Sequence, residues 1–149
     1  MIKAKRLNAF TLMELMIAAL ILALVLVGLL ASYVSCVQLA EIARETSIAI
    51  NGANANAEEI TKHDFASIKA DYDEKTFTPD YLNGIGISYV DDTNSELLKI
   101  TVTVCWRQQR GRVVGEDKDL DGQIDAGEDA NGNGMLDSIA QIVTYIAKK

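Results

Sequence analysis

Residues 15–40 carry no charged side chain, and this apolar run constrains the fold more than any other part of the chain. At about 1.5 Å rise per residue, one helix of that length exceeds the roughly 30 Å hydrocarbon core of a bilayer. It is also too long for the apolar core of a cleaved secretory signal, about 7 to 15 residues, and the small residue Ala9 precedes the run instead of following it. The run therefore reads as a retained membrane span. Lys3, Lys5 and Arg6 lie ahead of it, so the positive-inside rule puts the amino terminus in the cytoplasm and the bulk of the chain outside. One carboxylate, Glu14, stands near the head of this otherwise lipid-compatible helix. A carboxylate at membrane depth costs about 3 kcal/mol or more, which calls for a cationic partner or for a position where the side chain reaches interfacial water.

The string Ala9-Phe10-Thr11-Leu12-Met13-Glu14-Leu15, followed by the apolar run, resembles the prepilin signal of type IV pilins and pseudopilins. The resemblance implies a membrane peptidase that cuts between Ala9 and Phe10, methylates the new amine and leaves the helix on the mature protein. The family usually has Gly before the cut, where this chain has Ala9. It further implies that Glu14 governs assembly by meeting the Phe10 amine of a neighbouring subunit. At about 4 Å and an effective dielectric near 20, that attraction is on the order of 4 kcal/mol, enough to select an axial register. The implied partners are the prepilin peptidase, other pilin subunits in a homo- or hetero-filament, the inner membrane and its assembly platform. The precursor is expected in the inner membrane with its carboxy terminus outside, and the assembled form in a periplasmic or extracellular filament.

The expected organisation is a leader at 1–9, a transmembrane and assembly helix at 10–37, and an extracellular domain at 38–149. The formal net charge is −7, and removing the leader with its three cations takes it to −10, which argues against nucleic acid as a partner. Leu39, Ile42, Ala43, Thr46, Ala49, Ile50, Ala53, Ala57 and Ile60 recur near helical spacing, so the helix is expected to continue as an amphipathic half to about Lys62. Residues 51–56, with Gly52 and three asparagines, are expected to bend or break it. Residues 64–83 read as a loop with a short helix. Alternation then predicts a hairpin, with Ile85, Ile87 and Tyr89 on one strand, a turn at 91–94, and Ile100, Val102, Val104 and Trp106 on the next, one face buried. A last strand near 139–147 closes an antiparallel sheet on the amphipathic half of the helix. The fold class is α+β, the form that the pilin resemblance also implies.

Asp117, Asp119, Asp121, Gly122, Gln123, Asp125 and Glu128 fill the calcium-loop pattern D-x-D-x-D-G-x5-E. The three aspartates supply oxygen donors and Gly122 the sharp turn. Gln123 offers its backbone carbonyl, Asp125 acts through water, and Glu128 closes the site as a bidentate ligand. Asp129, Asn131, Asn133 and Asp137 begin a second copy, a candidate second site whose closing place falls on Ala140. Residues 116–137 hold eight acidic side chains and one base, Lys118, a crowding that repels itself unless a cation compensates. The alternative is a solvated turn held by side-chain to backbone hydrogen bonds. Calcium is expected in a structural role, in a loop between two strands and without the flanking helices of an EF-hand. Cys36 and Cys105 are expected to be free thiols, buried or half-buried, and Cys105 to face away from the helix.

The sequence holds no nucleophile motif, no phosphate-binding glycine loop and no second histidine beside His63, so the chain reads as a structural protein and not an enzyme. The strings Cys105-Trp106-Arg107 and Asn131-Gly132-Asn133-Gly134 resemble the carboxy-terminal part of some minor pilins. The expected function is a minor-pilin subunit of a type IV pilus-like filament. One alternative is a type II secretion pseudopilin, a family whose major members are known for a calcium site near the carboxy terminus. Another is an unprocessed, single-pass calcium-binding surface protein.

Overall fold

A computed structural model describes residues 11–108 and 111–148. The chain divides into two compact units, Met1–Glu41 and Ile42–Lys149. The helix α1, Leu12–Thr61, runs through the boundary as one α-helical element. In the first unit its large apolar side chains are exposed around the whole circumference, among them Leu15, Leu20, Leu24, Val27 and Leu30. By length and composition this part can cross a membrane. Apolar residues on every side suit a helix surrounded by lipid or by other apolar helices.

The second unit holds the rest of α1, the helix α2 (Phe65–Tyr72) and five strands: β1 (Lys75–Phe77), β2 (Gly84–Asn94), β3 (Leu97–Arg107), β4 (Val113–Val114) and β5 (Ala140–Ala147). All pairings are antiparallel. β3 is central: β2 lies on one side, and β5 and β4 share the other, against its first and last parts. Leu98, Ile100, Val102, Val104 and Trp106 of β3 join Ala49, Ala53, Ala57 and Ile60 of α1 in one buried cluster. The alanines recur every four residues, so they form one face of the helix and let its backbone come close to the sheet. Trp106 is fully buried and its Nε1–H donates to Glu45 Oε2 at 3.3 Å, which satisfies the indole where it meets the helix.

Four expectations change. No break interrupts α1 at residues 51–56: Ala53 is fully buried, and Gly52 lies where its absent Cβ would come 3.4 Å from Pro79 Cβ. The roughly 1 kcal/mol cost of Gly in a helix is small against the burial of that face. The segment expected as a loop contains β1 as well as α2. The hairpin turn falls at Ser95 and Glu96, not at 91–94, because β2 continues to Asn94 with a register shift between Asp91 and Asn94. Both faces of the hairpin are buried, since Ile87, Tyr89, Thr101, Thr103 and Cys105 are covered on the side away from the helix. A fifth expectation changes in part: both cysteines are free and Cys105 is buried as expected, but Cys36, also expected to be buried or half-buried, is exposed, because it lies on the part of α1 whose side chains are exposed all round.

α2 is fastened to β2 by Asp73, which accepts the Val90 N–H at 2.8 Å, and by Lys69, which reaches Asp73 and the Val90 carbonyl. Leucine in place of Ala53 would force a larger side chain into a fully buried position of the helix–sheet cluster. We expect Ala53→Leu to destabilise the domain by about 1–3 kcal/mol in denaturant unfolding. Ile50→Ala, at an exposed position of the same helix, should change stability by about 0.5 kcal/mol or less.

Candidate functional site

Two groups of side chains stand out. At the head of α1, Thr11 and Glu14 form a reciprocal capping box. The Thr11 N–H and hydroxyl donate to Glu14 Oε2 at 2.9 and 3.0 Å, and the Glu14 N–H donates to Thr11 Oγ1 at 3.2 Å. The Glu14 carboxylate thus takes the Thr11 N–H, which has no intrahelical partner, at the positive end of the helix dipole. Its Oε1 takes no hydrogen bond among the described residues. Ala9 and Phe10, the expected processing residues, lie outside the described residues. The prepilin resemblance assigns no structural role to Thr11, although a Thr followed three residues later by Glu before an apolar run is the capping-box signature.

The second group occupies residues 115–139, which link β4 to β5 without helix or strand. Gly115 enters at φ +109, and a Cβ there would fall 2.3 Å from Cys105 Sγ, so both the backbone conformation and the space require glycine. Asp117 is fully buried; its Oδ1 accepts the Leu120 N–H at 2.6 Å and its Oδ2 the Gly122 N–H at 2.9 Å. Asp119 and Asp121 each accept the N–H two residues on. Glu128, also buried, accepts the Lys118 N–H on Oε1 at 2.8 Å and the Asp125 N–H on Oε2 at 3.2 Å. Carboxylate oxygens of Asp117, Asp119 and Glu128 lie within 4.8 Å of one another, and so do those of Asp119, Asp121 and Asp125. All five predicted carboxylate ligands are therefore gathered around Asp119. Gln123 follows in the same turn, its N–H on Asp121 Oδ1 at 2.7 Å.

The electrostatics of this half are one-sided. Burial pushes the Asp117 carboxyl above the usual carboxylate range, against the lowering effect of the Gly122 and Leu120 hydrogen bonds. No cationic side chain pairs with Asp117 or Glu128 within 4.0 Å among the described residues; the Lys118 ammonium goes to the Gly127 carbonyl. Two carboxylates 4.8 Å apart repel by on the order of 3 kcal/mol at an effective dielectric near 20. A hard divalent cation with all-oxygen coordination fits both the donor set and the charge.

Residues 129–137 repeat the first turn twelve positions on. Asp129 Oδ1 accepts the N–H of Gly132 at 2.7 Å and its Oδ2 that of Gly134 at 2.9 Å, as Asp117 does for Leu120 and Gly122. Asn131 and Asn133 accept the N–H two residues on, and their amides donate to Asp137 Oδ2 at 2.7 and 2.9 Å. Here the hydrogen bond from Gly134 and its neighbours holds the Asp129 carboxyl below the usual range. The glutamate that holds the backbone of this half is Glu116. Its Oε1 accepts the Ala130 N–H at 3.2 Å and its Oε2 the Asp137 N–H at 3.0 Å, the counterparts, twelve residues on, of the Lys118 and Asp125 groups that Glu128 holds. Motif spacing looks forward to Ala140, so it could not find a closing residue that precedes the first turn.

Residues 5–30 match the model of the prokaryotic N-terminal methylation motif. The match spans Ala9, Phe10, Thr11 and Glu14 and supports a prepilin-type signal of the kind found in pilins and pseudopilins, a structural, non-enzymatic group. With the apolar helix it is consistent with a membrane-anchored precursor. No curated protein and no solved structure matches the chain. Replacing Thr11 by Val removes one donor and one acceptor of the capping box. We expect Thr11→Val to fray the first turn, with a loss of about 1 kcal/mol in helix stability, seen as faster amide exchange at residues 12–15 in micelles.

Proposed function

We propose that this chain is a structural subunit, a minor pilin, of a type IV pilus-like filament, cut between Ala9 and Phe10 and assembled through its apolar helix. The observation that carries this reading is the methylation motif, whose residues 12–30 form the first part of an apolar helix with large side chains exposed on all sides. Glu14 Oε1, which takes no hydrogen bond among the described residues, can take the Phe10 amine of a neighbouring subunit without dismantling the cap. Head-to-tail addition of such subunits uses heterologous contacts, which build open helical assemblies. The acidic segment near the carboxy terminus favours a second reading, a type II secretion pseudopilin, which uses the same helix and the same processing.

Recovered from membranes that contain a prepilin peptidase, the chain should begin at N-methylated Phe10 by intact mass. A chain that still begins at Met1 would instead make it an unprocessed membrane-anchored surface protein. Glu14→Val should reduce incorporation into filaments by about tenfold or more, as loss of an ion pair worth a few kcal/mol requires, while leaving membrane insertion intact. Normal stoichiometry in this variant would refute the register role.

We further propose that the loop is stabilised by calcium. Asp117, Asp119, Asp121, Asp125, Glu128 and the Gln123 carbonyl take one ion; Asp129, Asn131, Asn133 and Asp137, closed by Glu116, take a second. What supports this is the buried pair Asp117 and Glu128, which lacks a cationic partner among the described residues, and the repeat of its backbone cradle twelve positions on. At calcium about 100-fold above Kd the domain should gain about 2.7 kcal/mol per site. Calorimetric titration of the full chain in micelles should give two ions per chain, and Glu128→Gln and Glu116→Gln should each remove one. A single ion that survives Glu116→Gln would restrict binding to the first half.

A further inference from the structure

The acidic loop also acts as the cover of the outer sheet face. Leu136 is fully buried and, with Met135, completes an apolar cluster with Ile85, Ile87 and Tyr89. Two bonds hold this cover down. The Leu136 N–H donates to Tyr89 Oη at 2.9 Å, and the Glu116 N–H donates to the Asp137 carbonyl at 2.9 Å, tying the entry of the loop to its exit. Cys105 lies beneath that tie. It is fully buried, its Sγ is 4.0 Å from the Asp137 carbonyl, and Gly115 passes so close that a Cβ would strike the sulfur.

Trp106, the next residue, belongs to the opposite face and to the helix-side cluster. The two faces differ in what keeps them closed. The helix side has a continuous apolar core of twelve buried residues, whereas the outer cluster has three, and its cover carries eight carboxylates against one lysine. A segment with few apolar contacts and mutually repelling charges belongs to the low-stability end of a fold and can open without the rest.

We infer that residues 115–139 form a cation-held lid: with a divalent cation bound it seals Cys105 and the outer apolar cluster, and loss of the cation opens it while the helix-side core stays folded. This rests on the cation reading above. A ligand that binds only the closed form shifts the closing equilibrium by the factor 1 + [L]/Kd. The lid therefore converts the calcium level around the protein into accessibility of one thiol and one apolar cluster.

The test uses the full chain carrying Cys36→Ser in micelles, which leaves Cys105 as the only thiol and Trp106 as the only tryptophan. Maleimide labelling, tryptophan emission and calorimetric calcium binding are measured on the same preparation, in calcium and in chelator. Chelation should raise the labelling rate by about tenfold or more at unchanged tryptophan emission, and Glu128→Gln should label fast even in calcium. Calcium binding with equal labelling rates in both conditions would overturn the lid alone. Labelling and tryptophan emission that change together would show whole-domain unfolding and also overturn it. Absence of calcium binding would overturn the cation reading and the lid with it.

Discussion

A sheet that is buried on both faces needs two covers, and the chemistry of those covers organises the globular unit. On one side the alternating residues of β3 meet the alanine face of α1, with Trp106 anchored on Glu45. That contact is held by burial, at roughly 25 cal/mol per Å² of apolar surface, and needs nothing from outside the chain. On the other side Ile87, Tyr89, Thr103 and Cys105 lie under a segment with no regular secondary structure and a large negative charge. One cover is a helix packed through small apolar side chains, and the other is an irregular acidic segment held by its own hydrogen bonds.

Carboxylates take the place of secondary structure in that second cover. Glu116, Asp117, Glu128 and Asp129 each accept backbone N–H groups that strands or helices would otherwise satisfy. The same device appears at the head of α1, where Glu14 caps its own helix. Such carboxylates serve two roles. They fix the backbone with some of their lone pairs, and the remaining acceptor capacity is available to an ion or an amine.

Much of this was legible in the sequence where a period or a motif carries the signal. The charge-free stretch, the alternation in β3, the last strand and the clustering of Asp117, Asp119 and Glu128 follow from spacing alone. The rest depends on contacts that spacing does not encode. Gly52 and three asparagines argue locally against helix, yet burial of Ala49, Ala53 and Ala57 outweighs them. Lys75, Thr76 and Phe77 are too few to show a period. Thr101 and Thr103 read as a solvent-facing side, because the cover above them comes from a segment whose charge gives no sign of packing on a sheet. Glu116 stands outside the motif because a motif is read in one direction, whereas its partners are Ala130 and Asp137.

The crossing of Glu116 has a kinetic consequence. Each half of the segment is closed by a glutamate that flanks the first turn, one before it and one after it, and the Glu116 contact with Asp137 spans 21 residues. The second half therefore cannot be completed as a local turn; it must wait until the chain has come back to its own beginning. Contacts that close long loops carry an entropic cost before they return any stabilisation, so they tend to form late. Within the acidic segment the half held by Glu128, whose contacts span 10 and 3 residues, should consequently form before the half held by Glu116, whose contacts span 14 and 21.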